Sequence, residues 1–196
     1  MTKNVISSAK TLLTAYRKAL SGLEAGLGDG FAKAVDMMQA SAGHVVVCGM
    51  GKSGIIGRKI SASLASTGTP SLFLHPAEAI HGDLGMVRRG NVVLLISYSG
   101  ATEEIVRLLP AFKRLDTRLI ALTGNSESMI AAAAEINLDI SVDREACPLN
   151  LAPTTSSLNS LVLGDALAVA LMEARGFAES DFAITHPGGA LGRRLL

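Results

Sequence analysis

The stretch His44-Val45-Val46-Val47-Cys48-Gly49-Met50-Gly51-Lys52-Ser53-Gly54 decides the fold of this 196-residue chain. It opens with an aliphatic run, residues 44–48, that lacks the polar alternation of a half-exposed strand and is typical of a strand covered on both faces. A turn containing three glycines follows, and then a helical segment, residues 54–67. A strand, a glycine-rich turn and a helix in this order predict the first unit of a parallel α/β sheet.

The same alternation continues along the chain. Further strands are predicted at residues 71–74, 92–97, 118–123 and 136–142. Helices are predicted within 5–25, at 30–39, 102–115 and 126–134, and from about 155 to 175, where Gly176 is a plausible stop. With right-handed crossovers this pattern gives a doubly wound α/β domain, a five-stranded parallel sheet flanked by helices in a three-layer αβα sandwich. We expect N-terminal helices over residues 1–40 and the αβα core with the C-terminal segment over 41–196.

Composition excludes several classes of protein. The chain is 48% hydrophobic, 18% charged and 4% aromatic, with a net charge of +1 and scattered basic residues, so no nucleic-acid partner is expected. The longest apolar stretch, residues 161–172, contains Gly164 and Asp165 and is too short to span a bilayer. The N-terminus lacks the apolar core of a signal peptide, and two distant cysteines fit a reducing compartment. We therefore expect a cytoplasmic protein without a membrane partner.

The first loop that could carry chemistry is the glycine turn after strand one. Its backbone amides can approach an anion, and Gly51, Lys52 and Ser53 place a cation and a hydroxyl beside them. The turn spells G-x-G-x-x-G, but no ribose-binding acid stands at the end of the second strand, which argues against NAD. It is not a P-loop either, because Val46 replaces the earlier glycine. A purely structural turn remains the alternative.

The second loop lies between strand three and its helix, where Ser97, Ser99 and Thr102 surround Gly100. One hydroxyl followed by acids would be explained as an ordinary helix cap. Three hydroxyls exceed what capping needs, so the loop predicts a phosphate site at a helix N-terminus.

Together with these loops, three further motifs make the chain similar to a known family. They are His81-Gly82-Asp83-Leu84-Gly85-Met86, Ala152-Pro153-Thr154-Thr155-Ser156-Ser157 and His186-Pro187-Gly188-Gly189-Ala190-Leu191-Gly192-Arg193-Arg194. From Val45 onward the chain resembles the SIS (sugar isomerase) family, and within it the D-arabinose 5-phosphate isomerases. Longer members continue past a similar Gly-Arg-Arg-Leu into two CBS modules. Because this chain stops at Leu196, we expect one SIS domain without them.

The resemblance implies interconversion of D-arabinose 5-phosphate and D-ribulose 5-phosphate through a cis-enediol, a step that feeds the synthesis of Kdo for lipopolysaccharide or capsule. It points to Lys52, His81, Glu104 and His186 as the polar active-site set. Glu104 is our choice for the base at the C1 and C2 carbons. Either histidine could open the ring and move protons between oxygens, while Lys52 could polarise the carbonyl or stabilise the enediolate.

Substrate contacts are expected from the loops already described and from the start of the long helix. The full set of expected phosphate and substrate ligands is Gly51, Ser53, Ser97, Ser99, Thr102, Thr155 and Ser156. No cofactor or metal is expected to be required, although His81 and His186 could bind an inhibitory zinc ion if they converge. The resemblance also implies a homotetramer, a dimer of dimers with sites shared between subunits.

Two alternatives stay open. One is an isomerase of another sugar phosphate on the same fold. The other is a non-catalytic SIS domain that senses a sugar phosphate, as SIS domains do in transcription regulators. A sensor needs the phosphate loop but not Lys52, Glu104 and both histidines.

Overall fold

The computed structural model of the chain describes residues 2–188. Five parallel strands form one sheet in the order β2-β1-β3-β4-β5. They are β1 (Val45–Gly49), β2 (Ser71–Leu74), β3 (Val92–Ile96), β4 (Arg118–Thr123) and β5 (Ile136–Asp139). The strand order reverses between β1 and β3, so their connections leave toward opposite faces and open a crevice at their carboxyl ends. The predicted five-stranded parallel α/β fold is confirmed.

Helices cover both faces of the sheet. In chain order they are α1 (Thr2–Ala25), α2 (Asp29–Gln39), α3 (Gly51–Ser66), α4 (Pro76–Ile80), α5 (Glu103–Val106), α6 (Leu109–Arg114), α7 (Met129–Ala133), α8 (Thr155–Ala174) and α9 (Glu179–Thr185), with a 3₁₀ turn at Asp83–Met86. Alternate strand residues point to opposite faces: Val45 and Val47 pack with α2, α3 and α8, whereas Val46 and Cys48 pack with α4 to α7. Two buried cores result, one on each side of the sheet.

Two predicted elements differ from the observed ones. The helix predicted at 102–115 is broken into α5 and α6, because Pro110 has no N–H to continue the hydrogen-bond ladder. The last strand ends at Asp139 rather than at residue 142, since the Asp139 carboxylate accepts the Ser141 N–H at 2.7 Å and turns the chain. The short helices α4 and α9 and the 3₁₀ turn lie in segments for which no element was predicted.

Helix α8 packs against α3 at short range. A Cβ on Gly164 would lie 2.3 Å from Ile60 Cδ1, so the absence of a side chain allows the two helices to approach. Leu163, Leu167 and Leu171 are buried beneath it. By length and composition alone, α8 is the one helix within residues 2–188 that could cross a membrane, and half of its most apolar window is buried. The apolar stretch 161–172 is thus only part of a helix of 20 residues, which is long enough to meet the length that the stretch alone does not reach.

Candidate functional site

The glycine turn joins β1 to α3 at the sheet crevice. Gly51 has a φ of 56°, which glycine adopts without strain. A Cβ on Gly54 would lie 2.6 Å from the Gly49 carbonyl oxygen, so the turn closes only with glycine there. This backbone carries Lys52 and Ser53 at the start of α3. Lys52 is exposed and forms no ion pair or hydrogen bond within residues 2–188.

The serine loop, which we define as residues 97–102, lies beside that turn at the end of β3. Ser97 is 2% exposed, and its hydroxyl shares a 2.7 Å hydrogen bond with the Thr102 hydroxyl. The Ser99 hydroxyl accepts the Ala101 N–H at 3.3 Å. Gly100 has a φ of 65°, and a Cβ there would lie 1.9 Å from Ser128 Oγ. Three hydroxyls are thus held just before α5, and the phosphate site that the sequence predicts there stays a prediction.

A third element, the N-terminus of α8, holds a carboxylate that sequence reasoning missed. Glu145 accepts the backbone N–H groups of Thr154 and Thr155 at 2.7 Å each and that of Ser156 at 3.3 Å. The hydroxyls of Thr154 and Ser156 donate to the same carboxylate. The Thr155 hydroxyl accepts the Ala146 N–H at 2.9 Å. In this chain the hydroxyls of Thr155 and Ser156, predicted to contact substrate, bond to residues 145–146.

These hydrogen bonds set the charge of Glu145. Partial burial raises the pKa of the carboxyl, but the bonds from Ser156 and Thr154 outweigh it, and the net pKa lies below the ordinary carboxyl value. The positive end of the α8 dipole acts in the same direction. Glu145 is therefore an anion at neutral pH.

The three elements enclose a cavity of about 210 Å³. Its polar wall includes Ser53 from the glycine turn, Tyr98 from the serine loop, Glu145 from the segment that follows β5, and Ser156 from the start of α8. The lining does not include the other predicted side chains near these loops, which are Lys52, Ser97, Ser99, Thr102 and Glu104. Hydroxyls and a carboxylate thus face the same cavity. No sequence pattern indicated Glu145, because it lies in a polar stretch where a solvated acid is ordinary and nine residues before Thr154.

Glu104 follows directly on the serine loop as the second residue of α5. It is half-buried and forms no hydrogen bond or ion pair with any residue of the described part of the chain. Its neighbour Glu103 is exposed and paired with Arg107, as expected for a solvated acid at a helix N-terminus. Of the two acids, Glu104 is thus the one without a partner in the described part of the chain, and its role as the base stays a prediction.

The two candidate histidines, His81 and His186, do not line this cavity. His81 is exposed at the end of α4, which packs against α5. His186 ends α9, stacked on Phe182 at 3.8 Å, with Nδ1 3.0 Å from the Phe182 carbonyl oxygen. Among residues 2–188, no cluster of three or more His, Cys, Asp or Glu side chains could hold a metal ion. The remainder of the His186 motif, Gly189 to Arg194, lies outside the described residues.

Topology separates His186 from the serine loop of its own chain. Helix α8 begins at the carboxyl edge and ends where Arg175 Nε donates to Thr69 Oγ1 at 3.2 Å, just before β2. Its 20 residues span about 30 Å, whereas the seven residues of α9 span only about 10 Å. The chain therefore does not return His186 to the edge that carries the cavity.

Comparison with known proteins agrees with this architecture. The SIS domain family matches residues 38–170. This chain belongs to the SIS domain family. A solved Escherichia coli CFT073 protein in complex with arabinose 5-phosphate superimposes on this SIS chain with a TM-score of 0.92 and 43% identity, covering 95% of this chain and 100% of that one.

Two curated relatives extend the comparison. The SIS chain is 62% identical over 191 residues to the arabinose 5-phosphate isomerase KdsD of Pseudomonas aeruginosa, and 50% identical over 196 residues to the arabinose 5-phosphate isomerase GutQ of Escherichia coli. The matches cover 97% and 100% of this chain, and 59% and 61% of the relatives. The chain thus spans about three fifths of the length of these relatives.

Proposed function

We propose that this SIS protein is an aldose–ketose isomerase that interconverts D-arabinose 5-phosphate and D-ribulose 5-phosphate through a cis-enediol. One observation carries the proposal. The serine loop, Lys52, Glu104 and the ionised Glu145 all lie at the carboxyl ends of β1, β3 and β5, in a chain similar to relatives named arabinose 5-phosphate isomerase. A phosphate loop alone would serve any sugar-phosphate binder, but two carboxylates and a cation add the acid–base groups of an isomerase.

The proposed division of labour follows from these positions. The hydroxyls of Ser53, Ser97, Ser99 and Thr102 and the amide of Gly51 bind the phosphate at the helix N-termini. Glu104 removes the proton from the carbon next to the carbonyl and returns it to the neighbouring carbon. Lys52 stabilises the negative charge that develops on the enediolate oxygen.

Glu145 is added to the sequence-derived set. Held as an anion at one wall of the cavity, it can accept a hydrogen bond from a sugar hydroxyl and orient the open chain. Thr155 and Ser156 then act on the substrate through Glu145, because their hydrogen bonds fix the segment that carries this carboxylate.

The oligomer is part of the proposal. We propose a homotetramer in which His186 of one subunit serves the site of another, and the α8–α9 topology supports this because His186 cannot reach its own serine loop. His81, exposed beside α5, is the other candidate for ring opening. A zinc ion bound by His81 and His186 would then be an inhibitor that bridges subunits.

The cellular setting is proposed with the activity. A cytoplasmic location and a place in the supply of Kdo for lipopolysaccharide or capsule follow from the arabinose 5-phosphate reaction. We also propose that the chain forms one SIS domain, with N-terminal helices over residues 1–40 and the αβα core with the C-terminal segment over residues 41–196. No cofactor is assigned, because proton transfer through an enediol requires none.

A substrate panel tests the proposal. Purified protein is incubated with D-arabinose 5-phosphate, D-ribulose 5-phosphate and other aldose and ketose phosphates, before and after EDTA treatment, and the products are identified by NMR. We expect the arabinose–ribulose pair to be interconverted faster than any other, with or without EDTA. Faster turnover of another pair would support an isomerase of that sugar. Binding of a sugar phosphate without turnover would indicate a non-catalytic SIS domain that senses the sugar phosphate.

A further inference from the structure

Tyr98 is a side chain at the cavity to which the proposed mechanism gives no role. It lies between Ser97 and Ser99 in the serine loop, is 36% exposed and lines the cavity together with Glu145. Its hydroxyl bonds to a distant segment rather than to either serine, so the phosphate side of the loop is left to Ser97 and Ser99.

The ring is fixed by the loop that follows β4. A Cβ on Gly124 would lie 2.6 Å from the ring edge, so the ring packs directly on that glycine. The Gly124 N–H donates to the Tyr98 carbonyl oxygen at 2.8 Å. The aromatic wall of the cavity is thus held between two loops.

The hydroxyl reaches the segment that follows β5. Tyr98 Oη donates to the Val142 carbonyl oxygen and accepts the Val142 N–H, each at 3.4 Å. Val142 stands three residues before Glu145. One tyrosine therefore connects the phosphate loop to the segment that carries the ionised carboxylate of the site.

We propose that Tyr98 is a positioning and specificity-determining residue. Its hydroxyl keeps residues 140–145 in register with the serine loop, so that Glu145 faces the sugar. Its ring occupies one wall of the 210 Å³ cavity and so limits the length of sugar that the cavity admits. This inference rests on the proposed isomerase function and assigns the substrate-length limit of that site.

Tyr98→Phe tests the hydroxyl. We expect kcat for D-arabinose 5-phosphate to fall about 2- to 10-fold, the rate equivalent of one hydrogen bond. The inhibition constant of inorganic phosphate should stay unchanged, since the serine loop is intact. In a Glu145→Gln background the same change should have little further effect, because the two residues act together. Tyr16→Phe on α1, outside the cavity, is the matched control and should leave kcat unchanged.

Tyr98→Ala and Tyr98→Leu test the ring. Removing a phenol ring opens space on the order of 100 Å³, comparable to engineered cavities that accept benzene. We expect the ratio of kcat/KM for D-mannose 6-phosphate to that for D-arabinose 5-phosphate to rise at least tenfold in the alanine variant. The leucine variant retains apolar bulk and should show a smaller rise. The phenylalanine variant should keep the wild-type ratio.

A measurement without substrate separates this proposal from the function on which it rests. Cys147, two residues after Glu145, is labelled with a thiol reagent, and Tyr98→Phe should accelerate labelling several-fold by releasing the segment. If Tyr98→Phe accelerates labelling but the protein does not turn over arabinose 5-phosphate, the isomerase function is refuted, whereas the contact between Tyr98 and residues 140–145 is supported. The role of Tyr98 would be overturned by any of three results. They are unchanged labelling of Cys147 in Tyr98→Phe, unchanged kcat in Tyr98→Phe, or an unchanged preference for sugar length in both Tyr98→Ala and Tyr98→Leu.

Discussion

Replacing Glu145 with Gln should destabilise the fold as well as the site. The carboxylate accepts three backbone N–H groups and two hydroxyls at the N-terminus of α8. A glutamine keeps one acceptor oxygen but turns an NH₂ group toward backbone donors. The loss of one charge-assisted hydrogen bond costs about 1.5–3 kcal/mol, and loss of the charge at the helix dipole about 0.3–1 kcal/mol. We therefore expect the free energy of unfolding to fall by roughly 2–4 kcal/mol at pH 7.

The effect should depend on pH with a defined sign. Since the folded-state pKa of Glu145 lies below that of the unfolded chain, its stabilisation is fully present above the ordinary carboxyl pKa and is lost as the pH falls through the folded-state value. Urea unfolding of the wild type and Glu145→Gln should thus differ most at pH 7 and converge below about pH 4. The exposed Glu127→Gln is the matched control and should stay within about 0.5 kcal/mol of wild type. Equal stabilities at pH 7, or a difference independent of pH, would refute the assigned role of these hydrogen bonds.

Three further changes probe neighbouring features. Ser99→Ala should weaken binding of the sugar phosphate by about 1–3 kcal/mol in calorimetry, and unchanged affinity would remove Ser99 from the phosphate site. Gly100→Ala should lower the free energy of unfolding, measured in urea, by about 2–5 kcal/mol, because it combines a left-handed φ with a clash at Ser128. Adding Ser128→Gly to this variant should restore part of the lost stability, and no recovery would contradict the clash. The thiol pKa of Cys147 is lowered by backbone N–H groups of residues 149–152, so Cys147 should react with a thiol reagent in the native protein. Burial raises the pKa of Cys48 to about 12, so Cys48 should react only after unfolding. Reaction of Cys48 before Cys147 would contradict both assigned environments.

The sheet could be predicted because its strands are buried on both faces. A run such as residues 45–48 has no polar alternation, and a helical segment is predicted after every run except the second, residues 71–74, which leaves few topologies. The break between α5 and α6 could have been predicted from Pro110. The end of β5 could not, because it depends on where the Asp139 side chain points.

The site was only partly predictable from the sequence. Lys52 and the serine loop stand directly after strands, where ligands of such sheets bind, so their place followed from order alone. Glu145 and Tyr98 enter the site through contacts across loops: the first bonds to residues 9 to 11 positions later, and the second reaches Val142, 44 positions away. No local pattern marks such contacts. His186 was a candidate active-site residue only through the family resemblance. The topology of α8 and α9 gives a physical reason to seek its role in the site of another subunit.

The most direct test of carbon-bound proton transfer is deuterium exchange. D-ribulose 5-phosphate is incubated in D₂O with the wild type, Glu104→Gln and the control Glu103→Gln, and deuterium at C2 of arabinose 5-phosphate is followed by NMR. We predict incorporation by the wild type and by Glu103→Gln, and conversion and exchange about 10²–10⁴-fold slower in Glu104→Gln. Near-normal conversion and exchange by Glu104→Gln would contradict the assigned base, and the absence of arabinose 5-phosphate from the wild-type reaction would contradict the isomerase itself.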